Sequence, residues 1–274
     1  ASYIAEHLAE EMKGYSKAYL NLHKQTHQFP IASFIYELTG ISVITVSSVY
    51  QLLKQKKEDE IAEIRIGFIE NSVSLDRQIV KDIFQNTKGS SMISGEYNII
   101  SISGHGIYID DAKIPEGKKN YIQIEANCRL YVQDVISEDL SNVELAFLPV
   151  CQSGNGTDYY NFGTYSMGKA FRMAGVGYTI ETLWDVSLSA SLIFEYEFFR
   201  FLKETGIIDT AFYCAVQSLK NYTADDLGKF CRFIMRISGN KQLVRILYSE
   251  KGNGDYPFKA ASYWSGFCLQ KGEG

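Results

Sequence analysis

The stretch IISISGHGIYIDD, Ile99 to Asp111, rises out of an apolar run and breaks at one histidine held between two glycines. A short run that is apolar on consecutive residues is the pattern of a strand buried on both faces, as in a parallel sheet covered by helices. A second stretch, VELAFLPVCQSGNG, Val143 to Gly156, ends in the same manner: the apolar run stops at Cys151 and gives way to small and polar residues. In open α/β sheets, ligands bind outside the carboxyl ends of the strands. If these two strands are parallel neighbours, His105 and Cys151 emerge at one edge. A cysteine beside a histidine is a nucleophile with its base, because the imidazole favours the reactive thiolate against a free thiol pKa of roughly 8.5. Gly104 and Gly106 allow a sharp turn and close approach of a substrate. The amides of Gly106 and Cys151 are candidates to face a developing oxyanion. Taken singly, Cys151 reads as a small buried hydrophobe and His105 as an ordinary polar residue. Their pairing at two strand ends favours chemistry.

The rest of the chain supplies the alternation such a sheet needs. IRIGFIE (Ile64 to Glu70), YNIISIS (Tyr97 to Ser103), VELAFLPV (Val143 to Val150), VGYTIETLW (Val176 to Trp184) and SYWSGFCL (Ser262 to Leu269) read as strands, and ISVITVSS (Ile41 to Ser48) as a strand or the lead-in to a helix. Helices are predicted over Leu75 to Phe84 behind Ser74, Ser166 to Met173, Ser189 to Lys203, Ile208 to Leu219 and Leu227 to Arg236. Tyr121 to Glu125 and Arg129 to Val132 form a predicted hairpin pair. Tyr3 to Gln28 carries apolar residues at helical spacing and reads as one N-terminal helix. The expectation is an α/β fold: a central, mostly parallel sheet of six strands between helices, preceded by an N-terminal helical region.

At 274 residues the chain suits one large domain or two modest ones. A net charge of −5 and the lack of any Lys/Arg block argue against direct contact with nucleic acid. The apolar runs are too short to span a bilayer, so no membrane partner is expected. Five cysteines, an odd number with no CxxC pair, argue against a disulfide framework or structural zinc and place the chain in a reducing, cytoplasmic setting. HKQTH (His23 to His27) lacks the glutamate of a zinc-protease helix, so no metal is expected. GTYSMG (Gly163 to Gly168) is a near miss for the GxSxG serine-hydrolase elbow, with Thr164 where that motif needs glycine, and no phosphate loop occurs. No organic cofactor is implied by this chemistry.

Four segments, SISGHGIY, LAFLPVCQSGNG, GKAFRMAGVGYTIETLWDV and YWSGF, come in an order that resembles CHAT-domain proteins, caspase-like cysteine peptidases of the clan that also contains separase. The resemblance runs from Ile64 to Gly272. It implies a caspase-like three-layer sandwich and a thiol endopeptidase acting on a protein or peptide through a His105/Cys151 dyad, often attached to sensor domains or regulated by a partner. Where relatives commonly carry acids after their LWxV motif, this chain reads Ser187 to Leu192 without one. Glu181 and Asp185 remain nearby, and with Thr182 and Trp184 they are the expected substrate-binding residues, one or both acids receiving Lys or Arg before the cut. The plainer reading of either acid is a local hydrogen bond. The expected division is an N-terminal region over 1–62 and a peptidase domain over 63–274, with an insertion at 222–256. Two other functions fit the same residues: a latent, protease-like interaction or sensor module, and a thiol hydrolase or acyltransferase with an enclosed small-molecule pocket.

Overall fold

The computed structural model describes the chain except residues 1, 23–25, 27–28, 49–60, 62, 71–73, 91, 110–112, 126–127, 150–156, 160–162 and 273–274. Its centre is the pair of strands anticipated from the apolar runs. Strand β5 (Ile99–Ile102) lies beside strand β9 (Leu145–Phe147), parallel, with Ile99 opposite Leu145 and Ser101 opposite Phe147. Both are buried on both faces. Ile99, Leu145 and Phe147 point into one core, while Ile100, Ile102, Ala146 and Leu148 point into the other. That two-sided burial is why these runs lack polar alternation.

Around this pair the sheet grows to eight strands. On one side β5 is followed by β3 (Ile66–Ile69) and the edge strand β4 (Thr87–Ser90), all parallel. On the other, β9 is followed by β12 (Tyr178–Thr182), then β13 (Phe267–Lys271), β2 (Ser42–Val46) and the edge strand β1 (Lys17–Asn21). Direction reverses once, at the antiparallel β12–β13 pair, so β13, β2 and β1 run opposite to the other five. The sheet is mostly parallel, as expected, but has eight strands where six were read.

Helices cover both faces. The long helices α7 (Leu188–Thr205) and α8 (Ile208–Lys220) bury one face, with Phe147 ringed by Phe194, Phe198 and Phe199 at centroid distances of 6.2, 5.3 and 5.2 Å. Helices α9 (Ala224–Ser238) and α10 (Lys241–Ser249) join the same core through Leu227, Phe230, Ile234 and Leu247. They occupy most of the 222–256 segment. Helix α3 (Leu75–Ile83) begins at Ser74, whose Oγ accepts from the Arg77 amide at 3.1 Å, the N-cap role read from the sequence. The opposite face is covered by α5 (Val132–Ile136), α6 (Met167–Met173) and a small antiparallel sheet of β6 (His105–Tyr108), β7 (Asn120–Glu125) and β8 (Cys128–Tyr131).

Two local expectations are corrected. The N-terminal helix α1 (Ser2–Glu11) stops early, and Lys17–Asn21 becomes a strand, because a parallel partner at Ser42–Val46 satisfies its backbone. The closing segment is strand only from Phe267; Ala261–Trp264 is a helical turn, α11. Helix α1 and helix α2 (Ile31–Thr39) bury Ala5, Ile31 and Ile35 against Val43. Residues 17–46 thus contribute strands to the same sheet as residues 66–271.

Candidate active site

After Ile102 the chain leaves the central sheet through Ser103 and Gly104, and His105 opens the first strand of the small sheet. Gly104 is required by packing: a Cβ there would lie 2.6 Å from the Gln123 carbonyl oxygen and 2.8 Å from Ile122 Cγ2. Its lack of a side chain lets β7 close on the turn, a use different from the close approach of substrate read from the sequence. Gln123 stands opposite His105, and Ile122 opposite Gly106. Ile122 and Leu130 are buried in the core beneath, so His105 projects from the outer face, where it is exposed.

The orientation of the Gly106 amide follows from the ladder. The Ile109 amide donates to the Lys119 carbonyl at 2.9 Å. Along an antiparallel strand, residues that bond their partner alternate with residues whose N–H and C=O point away. Counting back, Ile107 and His105 bond to β7, and the Gly106 N–H faces the open edge of β6. Among the described residues, β7 is the strand paired with β6.

On the β9 limb, the Leu148 amide donates to the Ile180 carbonyl at 2.9 Å, carrying the pairing one residue past the strand. Cys151 lies outside the described residues, as do His23 and His27 of the HKQTH motif.

The four residues expected at the substrate pocket separate. Glu181 is wholly buried on β12, facing α6, where Arg172 Nη1 pairs with its Oε1. Thr179 Oγ1 donates to the same Oε1 at 2.5 Å, and among the described residues Glu181 Oε2 has no donor. Gly168 makes room for the carboxylate, since a Cβ there would meet Glu181 Cδ at 1.9 Å. Glu181 also stands opposite Cys268, whose thiol is pushed up to about 12 by burial and then by the Glu181 charge. This carboxylate is neutralised from within and presents no surface to an outside ligand. Thr182 is buried too, Trp184 is half-buried, and Asp185 is exposed. Trp184 Nε1 donates to the Ser262 carbonyl at 3.1 Å, which ties the ETLWDV and YWSGF segments together.

Sequence reasoning missed Arg172, because an arginine in a helix reads as a surface residue until its partner is placed. It also missed a row on the small sheet: His105, Gln123 and Arg129 stand opposite one another on three successive strands. Only the hairpin carrying the latter two was legible.

The sequence matches the CHAT domain family over residues 46–271, and the chain belongs to that family. Its fold is the caspase-like α/β sandwich. Among solved structures, the Arg specific cysteine proteinase gingipain R aligns with a TM-score of 0.50 at 12% identity, covering 80% of this chain and 63% of that one. The separase–securin complex of Saccharomyces cerevisiae aligns at 0.49 and 14% identity, covering 93% of this chain and 15% of that one. The complex of pro- and mature domains of RgpB from Porphyromonas gingivalis aligns at 0.47 and 13% identity, covering 79% of this chain and 64% of that one. The chain therefore spans less than two thirds of each of these structures. A search of curated proteins returns no match. Among the described residues, no helix is long and apolar enough to cross a membrane.

Proposed function

We propose that the chain is a cysteine endopeptidase in which Cys151 is the nucleophile and His105 its base. One observation carries this reading: β5 and β9 are adjacent and parallel, and their carboxyl ends lead to His105 and towards Cys151. His105 and Cys151 are separated in sequence by the same interval as the facing residues Ile99 and Leu145, which supports the pairing without fixing it. The Cys151 thiolate attacks the scissile carbonyl carbon, and His105 gives its proton to the leaving amine as the C–N bond breaks. Water then hydrolyses the thioester. The Gly106 N–H, on the open edge of β6, is a donor for the oxyanion together with the Cys151 amide. An edge that can accept main-chain hydrogen bonds suits an extended peptide better than an enclosed small molecule.

Asp185, the exposed acid, is the residue we assign to a basic side chain before the cut, with Thr182 and Trp184 shaping that wall and Glu181 holding it from behind. Regulation by a protein partner or an attached sensor domain, and a reducing cytoplasmic location, complete the reading. The free thiols of Cys128, Cys214, Cys231 and Cys268 support the last. The test is to map new protein N-termini in a lysate treated with the protein, its Cys151→Ala form or its His105→Ala form. Cuts that need both residues are expected. Their absence, with no labelling of Cys151 by a thiol-reactive peptide probe, would leave the interaction-module reading in place.

A further inference from the structure

The outer face of the small sheet carries a cation already fixed in place. Arg129 on β8 is exposed, and its Nε donates to Gln123 Oε1 at 2.9 Å. Gln123 is itself held, since its Nε2 donates to the Cys128 carbonyl at 3.1 Å. The Arg129 guanidinium carbon lies 5.0 Å from the centroid of the Tyr121 ring, and Tyr121 packs on Tyr131 across the strands at 5.3 Å. An exposed arginine normally loses much side-chain entropy when it grips a ligand; this one has already given up most of that freedom. Among the described residues, no carboxylate is ion-paired to it, whereas about half of the chain's arginines (Arg77, Arg172, Arg200 and Arg236) have an acidic partner.

Its position relates it to the candidate base. His105, Gln123 and Arg129 share one level across three strands, and their side chains leave the same face. Two strand spacings put the backbones of His105 and Arg129 roughly 10 Å apart. An extended peptide rises about 3.3 Å per residue, so that gap is spanned by roughly three residues. The guanidinium also meets the Tyr131 hydroxyl; an arginine carries five N–H donors, so others remain for a carboxylate.

We infer that Arg129 is a specificity residue that binds an acidic side chain of the substrate within about three residues of the cut. This rests on the peptidase reading and adds to it a second, anionic requirement distinct from any basic residue received at Asp185. Gln123 acts as a positioning residue by holding Arg129 towards His105.

The experiment uses the full chain and hexapeptide pools that differ only by Asp or Asn at one position. Two readouts are taken: cleavage by the protein, and affinity of the uncleaved pools for the Cys151→Ala form. At one position the Asp pool should be cut about tenfold better than the Asn pool, mainly through KM, and should bind the Cys151→Ala form more tightly by a similar factor. Arg129→Ala should bring both ratios close to one, Arg129→Glu should invert them, and Gln123→Ala should weaken them partly. All should fade with added salt, because the site is exposed. Arg129 covers the buried Tyr121 ring, so melting temperatures are measured alongside, and the ratios are read on variants that remain folded. Asp/Asn ratios that are unchanged in Arg129→Ala overturn the inference even if cleavage depends on Cys151. Absence of Cys151-dependent cleavage overturns the peptidase reading instead, and the binding ratio then decides the role of Arg129 by itself.

Discussion

Trp184 occupies the space that a side chain at Gly266 would need. A Cβ on Gly266 would lie 2.8 Å from the indole Cε2, 2.9 Å from Nε1 and 2.9 Å from Val186 Cγ2. The Leu183 amide donates to the Gly266 carbonyl at 2.8 Å, so neither segment can slide away from the other. A stiff indole against fixed backbone cannot yield cheaply. Gly266→Ala should lower stability by about 1–3 kcal/mol, the usual range for overpacking. Urea unfolding would show it, and pairing Gly266→Ala with Trp184→Ala should recover part of the loss.

The Arg172–Glu181 pair gives a second prediction. Removing one member of a buried ion pair strands a charge without solvent and costs about 3–5 kcal/mol. Glu181→Leu or Arg172→Met alone should be that damaging. The double substitution should be much closer to wild type, because two apolar groups leave no buried charge behind. A double-mutant cycle on unfolding free energies measures the difference.

Part of this was open to sequence reasoning and part was not. The six strands read from the chain are six of the eight in the central sheet, and the two missed are its edges, β1 and β4. An interior strand must be apolar on both faces, and the sequence displays that directly. An edge strand has no such demand: Thr87–Ser90 reads TKGS, and Lys17–Asn21 lies inside a stretch with helical spacing. Likewise His105 was legible because glycines punctuate a strand end, whereas Arg129 took its meaning only from a register that no local pattern specifies. Glu181 stands out as an acid in an apolar strand, but its partner Arg172 comes from a separate element that local sequence does not connect to it.

Glu195 on α7 gives a prediction with a pH axis. It is 1% exposed, among the described residues neither carboxyl oxygen meets an N–H or hydroxyl donor, and burial followed by the charge of Asp76 raises its pKa well above 4.5. Two carboxyls in contact can bond only if one keeps its proton. A folded-state pKa above the unfolded one means that the native form binds the extra proton. The associated stability is present below about pH 4.5 and is lost as pH rises through the folded value. Glu195→Gln should therefore gain on wild type progressively above pH 4.5, by about 1 kcal/mol or more at neutral pH. Denaturant unfolding from pH 4 to 8 is the check, and a gap that narrows with rising pH would contradict it.

Thiol chemistry offers a third kind of test. With a pKa of about 12, Cys268 is thiolate in only roughly one molecule in ten thousand at pH 8. Burial also pushes up the thiols of Cys214 and Cys231. Iodoacetamide at neutral pH should therefore leave Cys268 and Cys231 unmodified in the native protein and reach them only after unfolding. Peptide mapping by mass spectrometry would read this site by site.

Strand β2 has one neighbour that precedes it in the chain and one that follows at the far end: Thr45 and Val46 face Gln270 and Lys271. On the ribosome, Val46 emerges long before its second neighbour has been synthesised. At about 5–20 residues per second, the wait lasts roughly ten seconds or more. During that interval one flank of β2 has no native strand to pair with, and a long-range pairing of this kind forms slowly even once both strands exist. A newborn chain is thus most open to chaperones, and to mispairing with its neighbours on the same messenger, along the edge that Cys268 and its strand eventually close.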